Sequence, residues 1–174
     1  MDVSCTQFRK EHAGLAFKFQ VNPDSCANPE HYENYIRFVA LTDWKLGKGV
    51  TYILIDDTDD NQAIIGFITL RASSYISTNG EIIGRAAIEI TEIAIDKMYE
   101  KQGYGTALLD MATLLIDELR NTCIGVEYII ACADPASVPF YEKNDFYQVL
   151  EYYDIPREGW NNNCIPMALK LPEL

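Results

Sequence analysis

With 174 residues the chain is long enough for one domain with a full core and too short for two. An apolar share of 48% and 11 tyrosines exclude a disordered chain, and no apolar run approaches the ~20 residues of a membrane span. A formal net charge of −12 repels phosphate backbones and so argues against nucleic acid as a partner, while it attracts cations such as amines, polyamines or lysine side chains.

The first residues show no charged segment followed by an apolar run, so no secretory signal is expected and the cytoplasm is the expected location. Cys5, Cys26, Cys123, Cys132 and Cys164 are odd in number and scattered, without a C-x-x-C pair. This argues against a disulfide framework and against a zinc cage, and no metal site is expected. Cys132, in a β-rich apolar run, reads as a small buried hydrophobe.

In chain order, Leu15 to Val21 alternates like a strand. Asn28-Pro29-Glu30 opens a helix expected to run to about Leu41, with Tyr32, Tyr35, Ile36 and Val39 as its apolar stripe. Val50 to Ile55 and Ala63 to Leu70 read as strands around the acidic turn Asp56 to Asn61. Counted from Asp57, that turn has Gln62 where a calcium loop needs glycine and Ile68 where it needs glutamate, so calcium is rejected. Asn79-Gly80 signals a hairpin, followed by a strand from about Ile82 to Asp96. In that strand Ile88 and Ile90 share one parity and Ile93 and Ile95 the other, which predicts a one-residue slip, a β-bulge, near Thr91-Glu92. A helix over Gly105 to Leu119 follows, with Leu108, Met111, Ala112, Leu115 and Leu119 as its core stripe. Then come a strand over Val126 to Ala133, a short helix over Pro135 to Asn144, and strands over Phe146 to Tyr152 and Ile165 to Leu171. This order predicts a mixed α/β sheet.

The chemistry-bearing junction is Ile93-Ala94-Ile95-Asp96 leading through Gln102 to Gly103-Tyr104-Gly105-Thr106, read as strand, turn and helix start. Glycines there let backbone amides approach an anion, and the helix dipole adds attraction. A dinucleotide fingerprint fails at Leu108, and the Gly-Lys-Ser/Thr of a P-loop is absent.

From Glu89 to Leu119 the sequence resembles motif A of the GNAT superfamily of N-acetyltransferases. Ala133 to Phe146, with Phe140-Tyr141-Glu142-Lys143-Asn144-Asp145-Phe146, resembles the "FYEKxGF" motif that follows it. The resemblance implies one N-acetyltransferase domain over 1–174, with a mixed central sheet, helices on both faces and a bulged, splayed central strand. It implies acetyl-CoA as cofactor. Ile93, Ala94 and Ile95 match the strand that pairs with the pantetheine arm. The amides of Gly103, Tyr104, Gly105 and Thr106 match the diphosphate cradle, which Lys101 and Gln102 lead into. Tyr141 matches the tyrosine that protonates the leaving thiolate, while Glu89, fourteen residues before Gly103, and Glu92 are the two candidates for the base. The Ile93 amide is the expected oxyanion donor.

Two departures stand out. Glu100 occupies the place where the family has Arg or Gln, which puts one phosphate contact in doubt, and Gln102 stands too close to the glycine to replace it. Asp145 takes the place of a glycine, and both Asn144 and Asp145 tolerate a left-handed conformation. The expected reaction is acetyl transfer to a primary amine, a small cationic amine first, with no membrane partner and with a homodimer left open. The rivals are a protein N-terminus or lysine as acceptor, a toxin acetylating charged tRNA, and a non-catalytic acyl-CoA sensor.

Overall fold

A computed structural model describes residues 2–58, 62–77, 83–149 and 164–173. Among the described residues seven strands form one mixed sheet in the order β1-β2-β3-β4-β5-β7-β6. They are β1 (Val3–Gln7), β2 (Val50–Asp56), β3 (Ala63–Ser77), β4 (Ile83–Ile95), β5 (Tyr128–Ala133), β6 (Tyr147–Gln148) and β7 (Ile165–Lys170). The helices are α1 (Ala13–Ala16), α2 (Pro29–Asn34), α3 (Ala40–Lys45), α4 (Tyr104–Thr122) and α5 (Val138–Lys143). The fold class expected from the sequence is therefore present, with β1 as an unforeseen edge strand. The expected hairpin tip at Asn79-Gly80 and the residues after Val149 up to Asn163 lie outside the described residues.

The chain divides into two compact units, 1–71 with 91–113 and 72–90 with 114–174. In the first unit, β1 pairs antiparallel with β2, and β2 with β3. Leu54 pairs with Gly66 but Ile55 with Ile64, so Ile65 is an extra residue on β3. This bulge lets Ile64 and Phe67, of opposite parity, join Ile53, Ile55, Phe8, Phe19, Ile36 and Ala94 in one core cluster. On the other side of the same strands, Gly66 lies under Ile95 and Leu108 of α4, so this unit carries helices on both faces of its sheet.

Two local expectations are corrected here. Leu15 to Val21 is not a strand: α1 ends at Ala16, Phe17 is exposed, and Ala16 and Phe19 are buried. The helical run from Pro29 extends to Lys45 and contains a π-helical turn over Tyr35–Val39. The wider turn shifts the inward face by one residue, so Ala40 is buried while Val39, expected inside, is exposed.

In the second unit β5 pairs antiparallel with β7, and β7 with β6. The β4 residues Ala87 to Ile90 run parallel to Tyr128–Ala131, and that ladder ends there although β4 continues to Ile95. Burial along β4 passes from odd positions (Ala87, Glu89) to even ones (Ile90, Ala94, Asp96). The ladder with β5 runs through Glu89-Ile90 without a register shift, and further on Ala94 is buried while Ile93 and Ile95 are half-buried. On α4, Leu108 and Ala112 are buried as expected, joined by Leu109 and Ile116, while Leu119 is exposed.

Cys132 and Cys164 form a disulfide with a Cα–Cα distance of 5.4 Å. This overturns the reading of Cys132 as a plain buried hydrophobe. Its strand position opposite Pro166, next to the entry of β7, brings the two thiols together, and no sequence spacing announces such a cross-strand pair.

Candidate functional site

In the first unit the turn that follows β4 is tied down on all sides. The Asp96 carboxylate is buried and accepts the amides of Gln20 at 2.8 Å and Met98 at 2.9 Å. Tyr99 donates its hydroxyl to Asp56 at 3.1 Å. Burial, then this bond, raises the Tyr99 phenol above its ordinary range. Glu100 accepts from Asn22 at 3.1 Å and Ser25 at 2.9 Å, so the residue that departs from the family pattern anchors the segment before α2. Gln102 bonds the Met98 carbonyl at 3.0 Å.

The turn reverses through two left-handed residues, Lys101 at φ 60° and Gly103 at φ 90°. Glycine suits the second position, because a side chain would be strained there. The 19-residue α4 starts at Tyr104. The Ala107 amide donates to Gly103 O at 3.0 Å, and the i−4 carbonyls of Tyr104, Gly105 and Thr106 fall outside the helix. These are the amides that the sequence singled out.

Behind them Ala94 is in the core, and Ile95 packs on Gly66. A methyl group at Gly66 would stand 2.5 Å from Ile95 Cδ1 and 2.9 Å from Ala94 O. Only glycine at this position lets β4 lie so close to the bulged β3, and the Asp96 amide bonds the carbonyl of the bulged Ile65 at 2.8 Å.

Of the two carboxylates, Glu92 belongs to this unit. Both of its oxygens lie 3.0 Å from His31 Nε2. His31 stands in the first turn of α2, where Asn28 caps its amide. Near it, Tyr35 donates to Asp43 at 3.3 Å, and burial foremost, with Asp43 and Glu92 adding, pushes its phenol up to about 12. Sequence reasoning missed His31: 61 residues separate it from Glu92, and only tertiary packing joins them.

In the second unit, Glu89 is buried and accepts a hydrogen bond from Ser73 at 3.0 Å. Tyr141 on α5 is buried, its ring edge-on to Phe140 and Phe146, each at 5.3 Å. Helix α5 closes with Asp145 at φ 65°, the left-handed end that the sequence allowed for. Glu89 and Tyr141 therefore share a unit, whereas Glu92 and the helix-start amides share the other.

A strand leading through a left-handed glycine into a long helix, within a mixed sheet, defines an α/β protein. A family model described as an acetyltransferase (GNAT) domain matches residues 47–148, and the chain belongs to that family. It is an acyltransferase, and its acyl donor is acetyl-CoA. No curated protein sequence matches the chain. Among solved structures it is similar to a mutant of KacT (TM-score 0.79, 13% identity, 98% of this chain and 95% of that one). It is also similar to AtaTR bound with AcCoA (0.76, 14%, 97% and 94%). A further similar structure is AtaT complexed with acetyl-methionyl-tRNAfMet (0.72, 18%, 98% and 95%). That last complex contains tRNA.

The residues present fit the donor. A Cβ built on Gly103 meets nothing within 4 Å, so the helix start is open above the glycine, and the aligned amides and dipole of α4 suit a diphosphate. Lys101 is exposed beside them. Among the described residues no helix is long and apolar enough to cross a membrane, and no cluster suited to a metal ion is found.

Proposed function

We propose that the protein, as one catalytic domain over residues 1–174, moves the acetyl group of acetyl-CoA to a primary amine by direct attack. The observation that carries this reading is the left-handed Gly103 at the start of α4, open above and braced from below by Asp96, Tyr99 and Glu100. When bound, acetyl-CoA supplies an activated thioester. The amides of Gly103 to Thr106 hold its diphosphate, and the backbone of Ile93 to Ile95 aligns the arm, with the Ile93 amide facing the developing oxyanion. Tyr141 donates the proton that turns the departing thiolate into a thiol. Glu89 or Glu92 serves the deprotonation of the amine. In the cytoplasm the Cys132–Cys164 bridge would belong to the transient, redox-responsive kind.

A small cationic amine is the first choice of acceptor, on the strength of the net charge of −12. A second reading, the α-amine of a charged tRNA, is favoured by the likeness to AtaT complexed with acetyl-methionyl-tRNAfMet. One experiment separates them: thiol release from acetyl-CoA against polyamines, small amines, peptides and aminoacyl-tRNA, at low and moderate salt. Turnover with small amines alone supports the first reading. Turnover with aminoacyl-tRNA that falls steeply with salt supports the second. Binding of acetyl-CoA without thiol release to any amine would leave a sensor instead of an enzyme.

A further inference from the structure

We propose that the outer face of α1, the π-helical turn and α3 docks an acidic segment of another protein, one that carries apolar side chains. Docking there requires no acetyl transfer, so it stands or falls separately from the reading of the protein as an enzyme.

Charge sets this face apart. Residues 8–20 and 35–48 hold six of the chain's 14 lysines and arginines: Arg9, Lys10, Lys18, Arg37, Lys45 and Lys48. They hold two of its 26 acidic residues, Glu11 and Asp43, so this stretch is net positive in a chain of −12. Arg37 is taken up internally: it pairs with Glu33 at 3.1 Å and donates to the carbonyls of Ala16 and Phe19. Asp43 is half-buried and accepts from Tyr35. The four lysines are exposed, and among the described residues none of them is paired with a carboxylate.

The same face is apolar. Phe17, Phe38 and Leu46 are 60%, 62% and 64% exposed, and Val39 and Trp44 are exposed as well. These side chains are connected. The Phe17 ring stands edge-on to Phe38 at 5.8 Å, which joins the end of α1 to the π-helical turn. Phe38, Thr42, Lys45 and Leu46 follow at helical spacing and are all exposed, so they share one outer side. At 1.5 Å of rise per residue that side extends for about 12 Å. The Arg9 guanidinium lies over the Trp44 ring, 4.3 Å from its centre, and ties the residues before α1 to α3. The inner sides of these elements, Ala16, Ile36 and Ala40, are in the core with Ala94, so the platform is held in place. Single exposed hydrophobics are ordinary, whereas a connected patch rimmed by charge marks an interaction surface.

Complementarity selects the occupant. Lysines around aromatic and leucine side chains match carboxylates around apolar ones. Two copies of this chain joined face to face would set lysine against lysine. A nucleic acid or an anionic membrane carries its charge well past the patch, where the rest of the chain is more acidic than the total of −12. A short acidic segment meets the patch alone, because screening limits the reach of charge to about 8 Å at physiological salt.

The test is selection of random displayed peptides on the full chain, followed by fluorescence anisotropy with the enriched peptides. These should be rich in Asp and Glu, with Phe, Leu or Trp between them. Lys18→Glu combined with Lys45→Glu should weaken their binding at least about tenfold, and so should Phe17→Ser combined with Phe38→Ser. All four side chains are exposed, so the melting temperatures should stay close to wild type. On wild type itself, raised salt should weaken binding as well. An empty selection, enriched peptides without an acidic excess, or affinities that both variant pairs leave unchanged would overturn the proposal. So would tighter binding of an RNA duplex or of phosphatidylserine vesicles, lost in the same variants. A wild-type dimer in sedimentation that Phe17→Ser with Phe38→Ser dissociates would overturn it too, since the face would then hold a second copy.

Discussion

Asp96 and Gln20 grip one another through neighbouring groups. The Asp96 carboxylate accepts the Gln20 amide at 2.8 Å, and the Lys97 amide donates to the Gln20 carbonyl at 2.8 Å. Through this clasp the segment leading to α2 is joined to the end of β4, where the turn into α4 begins. Asp96→Ala would leave the amides of Gln20 and Met98 without their acceptor, at a cost of about 1–3 kcal/mol each. Urea denaturation should show a lower midpoint with an unchanged m-value. A variant as stable as wild type would mean that the clasp holds nothing in place.

Gly66 makes a complementary prediction on the strand side. Gly66→Ala would put a methyl group 2.9 Å from a backbone oxygen of Ala94, which cannot move without shifting β4. Overpacking of this kind costs about 1–3 kcal/mol. Because Ile95 and Leu108 are the other neighbours, acetyl-CoA affinity should fall along with stability in calorimetry. Unchanged affinity in the destabilised variant would separate the strand from the site.

Much of this was legible in the sequence because it is local. The glycine turn, the start of α4, the left-handed end of α5 and the order of the later strands all follow from residues within a few positions of each other. What was not legible is tertiary. The Glu92–His31 pair, the Asp96–Gln20 clasp and the Cys132–Cys164 bridge each join residues far apart in the chain. The shift from Val39 to Ala40 arises from a π-turn, whose extra residue breaks the 3.6 period from which an apolar stripe is read.

The disulfide has a measurable weight. It closes a loop with a sequence separation of 32, which contains Tyr141. In the loop-entropy model a closure of this size contributes about 3–4 kcal/mol. A reductant, or Cys164→Ser, should therefore lower the urea midpoint clearly, with no further effect of reductant on the variant. Equal midpoints with and without reductant would show that the bridge contributes nothing.

Tyr35 predicts an alkaline effect. Its phenol is raised from 10.0 to about 12, chiefly by burial. Between these values the unfolded chain has lost the proton that the native protein keeps, so stability is full below 10.0 and falls as pH rises through that window. Tyr35→Phe has no such proton to lose, so its urea midpoint should fall less than that of wild type between about pH 9 and pH 11. Other tyrosines titrate in both proteins and cancel in the difference. Parallel pH curves would contradict the assignment.

Tyr141→Phe keeps the ring that packs between Phe140 and Phe146 and removes only the hydroxyl. Turnover should drop at least about tenfold, with the acetyl-CoA Kd nearly unchanged. An unaltered kcat would remove Tyr141 from the proton path.

The most direct measurement is calorimetry of acetyl-CoA with wild type and with Gly103→Val, after circular dichroism has shown both to be folded. A branched side chain at φ 90° would strain the turn and cover the amides of Tyr104 to Thr106. Wild type should bind one acetyl-CoA, and the variant at least about tenfold more weakly, a loss of about 1.4 kcal/mol. No heat with wild type, or equal affinities for the two proteins, would contradict a diphosphate held at the start of α4.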